Sequence, residues 1–147
     1  MISPLLILLF PLFAAIFIRT FDKQIPFNVA KIGVTATTSS FFLSVWLLYH
    51  VGTQGPIHLI LWPLNPENSS ILKFGIWIDR LTAVMMVLIT SVSIVIHAYS
   101  IRYLEGDPGY ARFFALLSFI TFVILAIVSS LNLFMLFVFW QLLSLAL

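Results

Sequence analysis

One stretch constrains this chain more than any other: Leu81 to Ile101, LTAVMMVLITSVSIVIHAYSI, with Asp79-Arg80 before it and Arg102 after it. At about 1.5 Å per residue, an apolar helix of that length crosses the roughly 30 Å of bilayer hydrocarbon, and the flanking charges fall at the two interfaces. Its polar residues keep helical order. Asp79, Thr82, Thr90, Ser93, His97 and Ser100 follow one another at steps of three or four, or sums of such steps with Met86 filling the gap, so they line one side of the helix. Unpaired polar groups are costly in hydrocarbon, which turns that side toward a bundle interior or a hydrated cavity. Serines and threonines in such a place serve helix packing by bonding back to the preceding turn. His97 admits two readings, a structural histidine near the interface and a proton-relay group, because imidazole titrates near neutral pH.

The rest of the chain has the same character. Its 147 residues are 62% hydrophobic and only 8% charged, with a mean hydropathy of +1.16, which leaves too few charges to cover a soluble surface. The partner this composition names is the lipid bilayer. A formal charge of +2 carries no argument for nucleic acid or an acidic ligand. The absence of cysteine removes disulfides, thiolate metal sites, iron-sulfur clusters and cysteine nucleophiles together. There is no Gly-rich phosphate loop, Ser/His/Asp set or convergent carboxylate pair, and His50, His58 and His97 belong to different depths. No catalytic site, metal or cofactor is therefore expected in this chain.

The expected fold is an all-α integral membrane helix bundle of about five transmembrane helices, 2–18, 32–51, 81–101, 113–131 and 133–147, forming one domain over 1–147. An extramembrane β-hairpin within 52–78 separates the second and third. The first span lacks the basic leader and cleavage site of a signal peptide, and its Pro11 should kink it unless neighbouring helices accommodate the ring. The second opens with Thr35, Thr37, Thr38, Ser39 and Ser40, suited to close helix approach, and ends with Trp46, Tyr49 and His50 in an interfacial belt. In the hairpin, Ile57–Trp62 and Ile71–Ile78 are β-branched and aromatic, while Pro63, Asn65, Pro66, Glu67 and Asn68 form turns. Asn68-Ser69-Ser70 matches a glycosylation acceptor, a motif frequent by chance. Gly106 to Gly109 make a second turn. Arg19, Lys23, Lys31, Arg102 and Arg112 fall on one side and Lys73 and Arg80 on the other, which puts the N-terminus and the hairpin outside. The fifth span is short and has no charged anchor, so the chain reads as the front of a longer protein.

Asp79-Arg80-Leu81 through Ile96-His97-Ala98-Tyr99-Ser100-Ile101, then Tyr103-Leu104, Gly109-Tyr110-Ala111-Arg112-Phe113-Phe114, Asn132-Leu133 and Phe139-Trp140 together resemble the antiporter-like membrane subunits of respiratory complex I. The likeness is to the L subunit (NuoL, mitochondrial subunit five), Mrp-type sodium/proton antiporters and the DabB subunit of inorganic carbon pumps. The resemblance implies a cation-coupling membrane subunit, proton or sodium, in which NADH and flavin bind other subunits. Where respiratory members carry an ion-translocating glutamate after the tryptophan of helix five, this chain has Gln141, which cannot ionise. That departure and the Leu104–Gly109 turn favour the DabB kind, with a DabA-type zinc protein as partner in a bacterial inner membrane. The alternative is a proton-translocating L-type subunit of NADH-quinone oxidoreductase or an Mrp antiporter, with complex I subunits as partners. A non-transporting scaffold is the third reading, since no Asp, Glu, Lys or Arg after Arg80 lies well inside a span. The candidates for an ion pathway or polar network are His97, Gln141, Ser144, Thr90 and Ser93. Gln141 and Ser144, one turn apart, are expected to share a face with the stripe of the third span. Asp79 and Arg80 are read as a structural charge pair at its start.

Overall fold

The computed structural model describes residues 3–21, 23, 28–63 and 73–147. The chain order is α1 (Ser3–Phe21), α2 (Val29–Gln54), β1 (Ile57–Pro63), β2 (Lys73–Ile78), α3 (Arg80–Tyr103), α4 (Tyr110–Val128) and α5 (Leu133–Ala146). Among the described residues four helices, α1 to α4, are long and apolar enough to cross a membrane, whereas α5 has 14 residues, about 21 Å of helix. This is an integral membrane helix bundle with a small antiparallel sheet. The turn formers Asn65 to Asn68 and the Asn68-Ser69-Ser70 triplet lie outside the described residues.

Two apolar clusters hold the bundle. One joins Ile7, Leu47, Val51, Met86 and Leu125 to Ile76 and Ile78 of β2, at the hairpin end. The other joins Ile18, Val29, Ala30, Ala111, Phe114 and Ala115 at the opposite end. Between them the helices meet through buried polar residues: Thr37, Ser40 and Ser44 of α2, Thr90, Ser93 and His97 of α3, Ser118 and Thr121 of α4. The buried face of α3 is Ala83, Met86, Thr90, Ser93, His97 and Ser100, so the polar stripe does face inward.

α1 runs through Pro11 without ending. Proline has no N–H, so the carbonyl four residues back, that of Ile7, loses its helical donor. Ser40 of α2 supplies another: its hydroxyl donates to the Ile7 carbonyl at 3.1 Å, in the buried interior. A neighbouring helix thus restores what the proline removed.

The hairpin pairs Ile57 with Ile78, Leu59 with Ile76 and Ile60 with Gly75, with a bulge before Trp62 meets Phe74. Its second strand does more than close the hairpin. The Trp77 N–H donates to the Ser129 carbonyl at 3.0 Å, the Leu131 N–H donates to the Gly75 carbonyl at 3.3 Å, and the Asn132 amide donates to the Lys73 carbonyl at 2.8 Å. The turn between α4 and α5 is therefore stitched to the sheet edge. Gly75 allows the close approach, since a Cβ there would lie 2.6 Å from the Leu59 carbonyl and 2.9 Å from the Leu131 side chain.

Several boundaries differ from the sequence expectation. α2 is longer at both ends than 32–51, and α4 starts at Tyr110 rather than 113 and stops at Val128 rather than 131. The chain turns out of α4 at Ser129, and Ser130 bridges to Ile76 of β2 before α5 begins.

Candidate functional site

His97 is fully buried where α2, α3 and α4 converge. Its Nδ1 lies 2.8 Å from the Ser93 carbonyl. A carbonyl only accepts, so Nδ1 carries the hydrogen. In the neutral ring Nε2 then offers a lone pair, and the Ser118 hydroxyl of α4, 3.2 Å away, donates to it. The Ser93 hydroxyl is 2.7 Å from Thr121 Oγ1, and the Thr121 hydroxyl donates to the Leu117 carbonyl at 2.9 Å. Ser93 is therefore the donor to Thr121, and its oxygen takes a second, longer share of the Nδ1 hydrogen at 3.3 Å. Every hydrogen in this network has a place.

The direction of these bonds decides what the site can do. The branch through Nδ1, Ser93 and Thr121 ends on the Leu117 carbonyl, which has no proton to pass on. The branch through Nε2 ends on Ser118, whose hydroxyl can turn from donor to acceptor. Nδ1 is thus the anchored edge of His97, since its main partner is a carbonyl, and Nε2 is the edge whose direct partner can change role. Phe114 packs beside the ring at 5.8 Å between centroids. Gly33 of α2 closes the remaining side, where a Cβ would come within 3.0 Å of His97 Cδ2 and 3.4 Å of Nε2.

Of the residues picked from sequence, the structure brings His97 and Ser93 together and leaves the others apart. Thr90 is buried but bonds its own helix, to the Met86 carbonyl at 2.8 Å. Gln141 and Ser144 are exposed on α5, which packs on α4 through Phe139 against Phe122, so they do not share the interior face of α3. Asp79 and Arg80 do not form a pair. Asp79 caps α3, its carboxylate accepting from the Thr82 N–H at 2.7 Å, and that bond holds its carboxyl below the usual carboxylate range. Arg80 instead donates to the Gly52 carbonyl at 3.2 Å, tying the start of α3 to the end of α2. Among the described residues no group of three or more His, Cys, Asp or Glu is arranged to hold a metal ion.

Ser118, Thr121 and Gly33 escaped the sequence reading. The signal for the first two was present: after Arg112 they are the only polar residues of α4, three apart on one face. Nothing in the sequence singles out Gly33.

Residues 64–114 match the family model described as NADH-Ubiquinone oxidoreductase (complex I), chain 5 N-terminus. NADH-quinone oxidoreductase subunit L of Rickettsia bellii is 35% identical over 139 residues, 93% of this chain and 22% of that protein. The chloroplastic NAD(P)H-quinone oxidoreductase subunit 5 of Poa pratensis is 38% identical over 136 residues, 88% of this chain and 18% of that protein. The chain spans about a fifth of the length of these curated relatives. A chain of the membrane-bound sulfane sulfur reductase, an archaeal respiratory membrane complex, superposes with a TM-score of 0.80 at 15% identity over 97% of this chain and 28% of that one, which speaks to fold. These matches carry no support for the DabB preference and fit the respiratory alternative better. The chain is thus similar to the N-terminal part of the antiporter-like L subunit (subunit 5) of complex I.

Proposed function

We propose that this chain is part of a proton-coupling antiporter-like subunit of the respiratory L type, assembled with other membrane subunits of an NADH- or NAD(P)H-quinone oxidoreductase. The observation that carries the reading is His97: a fully buried imidazole anchored at Nδ1 by the Ser93 carbonyl and facing the Ser118 hydroxyl at Nε2. A group of that kind holds a proton at one edge while its other edge keeps the ring in register. The five basic residues on the side opposite the hairpin support an orientation with the N-terminus and hairpin outside a bacterial inner membrane. The test is NADH-driven acidification of inverted membrane vesicles carrying His97→Gln in the full-length gene, normalised to NADH oxidation in the same vesicles. Reduced acidification per NADH at normal complex yield is expected. Unchanged coupling sinks the reading.

The DabB-type reading rests on two features, the Leu104–Gly109 turn and the uncharged Gln141, exposed on α5 where the respiratory resemblance calls for a glutamate. Affinity purification of the full-length protein separates the two readings. Co-purification with a zinc-binding soluble protein and without NADH-oxidising subunits favours DabB.

A further inference from the structure

A cleft of about 420 Å³ opens between α1 and α4 at the end of the bundle away from the hairpin, lined by Arg19, Arg112, Ala15, Ile16, Leu116 and Phe119, with Thr20 and Ala115 completing it. Its composition is split. Among the described residues the polar end carries two guanidinium groups and Thr20 but no carboxylate, and the remainder is apolar. Both arginines are exposed, and neither has an ion pair or hydrogen bond among the described residues. Thr20 spends its hydroxyl hydrogen on the Ile16 carbonyl at 2.8 Å, so it brings no donor to the cleft. The positive end of the α4 helix lies on the same side as Arg112, and its Gly109 cap provides no side-chain acceptor.

We propose that this cleft is a binding site for an anionic phospholipid, the phosphate held between Arg19 and Arg112 and an acyl chain lying along Ile16, Leu116 and Phe119. Guanidinium groups bind phosphate through paired N–H donors, and two of them at a membrane interface select a net negative headgroup over a zwitterionic one. The apolar floor suits only a ligand with a hydrocarbon tail, which commits the site to lipid rather than free phosphate. Among the described residues, the neighbouring groove between α1 and α2, lined by Phe10, Phe13, Phe17, Ile32 and Ala36 among others, has no charged side chain with which to choose a headgroup. The basic excess on this side, Arg19, Lys23, Lys31, Arg102 and Arg112 against Asp22, Glu105 and Asp107, concentrates anionic lipid in the facing leaflet.

The test is native mass spectrometry of the full-length protein released from nanodiscs of equimolar phosphatidylcholine and phosphatidylglycerol. Selective retention of phosphatidylglycerol is expected. Arg19→Gln and Arg112→Gln should each weaken it about tenfold, a charge-assisted hydrogen bond to phosphate being the loss. Arg102→Gln, outside the cleft, should leave it unchanged, and the Lys variants of Arg19 and Arg112 should retain most of it. Should the Gln variants fail to fold, Leu116→Trp fills the apolar part while keeping both arginines, and it too should release the lipid. Retention equal for the two lipids, retention indifferent to both arginines, or displacement by inorganic phosphate would overturn the proposal. So would a photo-crosslinker at position 116 that labels a protein chain instead of lipid in native membranes.

Discussion

Removing the Ser40 hydroxyl should cost far more than its exchange for alanine suggests, and only because of a residue on another helix. Ser40→Ala deletes the donor to the Ile7 carbonyl. In an unbroken helix that carbonyl would keep its own partner, the N–H of residue 11. Here residue 11 is proline, so the buried carbonyl is left with none. An unsatisfied buried acceptor costs about 1–3 kcal/mol, more than the roughly 0.6 kcal/mol average for an interhelical bond in membranes. Ser40 also receives a bond on its own carbonyl from Ser44, which the substitution leaves in place. We therefore expect Ser40→Ala to destabilise by about 2 kcal/mol.

The decisive comparison is with Pro11→Ala, which restores the backbone donor. In that background Ser40→Ala should cost no more than about 0.6 kcal/mol, so that a double-mutant cycle gives a coupling of at least about 1.4 kcal/mol across the two helices. The assay is reversible unfolding in mixed micelles by increasing SDS fraction, followed by tryptophan fluorescence. If Ser40→Ala costs the same with proline or alanine at position 11, the carbonyl is not what the hydroxyl serves and the argument fails.

Gly33→Ala and Gly52→Ala are the same substitution in one helix and should have opposite signs. At Gly33 the methyl meets His97, whose ring is held at both nitrogens, so overpacking of about 1–3 kcal/mol outweighs the roughly 1 kcal/mol gained in helix propensity. At Gly52 nothing lies within 4 Å, and the same micelle titration should show stabilisation of up to about 0.5–1 kcal/mol; destabilisation at both sites would reject the packing account. Asp79→Ala should cost about 1 kcal/mol at most as a lost helix cap, and it should harm assembly yield more than transport. Because the folded-state carboxyl titrates below its unfolded value, the contribution of Asp79 is full above about pH 4 and lost as pH falls through the folded pKa. Asp79→Asn keeps a capping oxygen while removing the charge, and acid titration of its unfolding midpoint should lack that part of the fall shown by the parent.

The interior face of α3 was legible because a membrane leaves polar groups one tolerable direction, and steps of three and four reveal it without any tertiary information. The hairpin strands were legible from their β-branched and aromatic runs ended by turn formers. What the sequence withheld was of another kind. The stitching of Lys73, Gly75 and Trp77 to Ser129, Leu131 and Asn132 is mainly backbone pairing between segments far apart in the chain, and such bonds leave almost no mark on side-chain identity. The charge pair expected of Asp79 and Arg80 failed for a local reason: the cap geometry turns the carboxylate into the first turn of α3, and the long arginine finds a carbonyl on α2. Gln141 and Ser144 were placed with the α3 stripe on helical spacing alone, which fixes a face but not the neighbour it meets.

Apolar side chains gain little from meeting one another when the surroundings are equally apolar, so the register of a membrane bundle has to come from close approach and from bonds between helices. The contacts found here divide that task by helix. Ser40 fixes α2 against α1 at Ile7, Gly33 lets α2 close on His97 of α3, and His97 with Ser93 fixes α3 against α4 at Ser118 and Thr121. At the far end of α4, β2 holds the turn that follows it. α4 is thus secured at mid-height by side chains and just beyond its C-terminus by backbone. Sliding or rotating it would break both sets together, including the bond between Ser118 and His97 Nε2. Motion at this site that keeps the bundle intact must therefore be small, a turn of the Ser118 hydroxyl rather than a displacement of the helix.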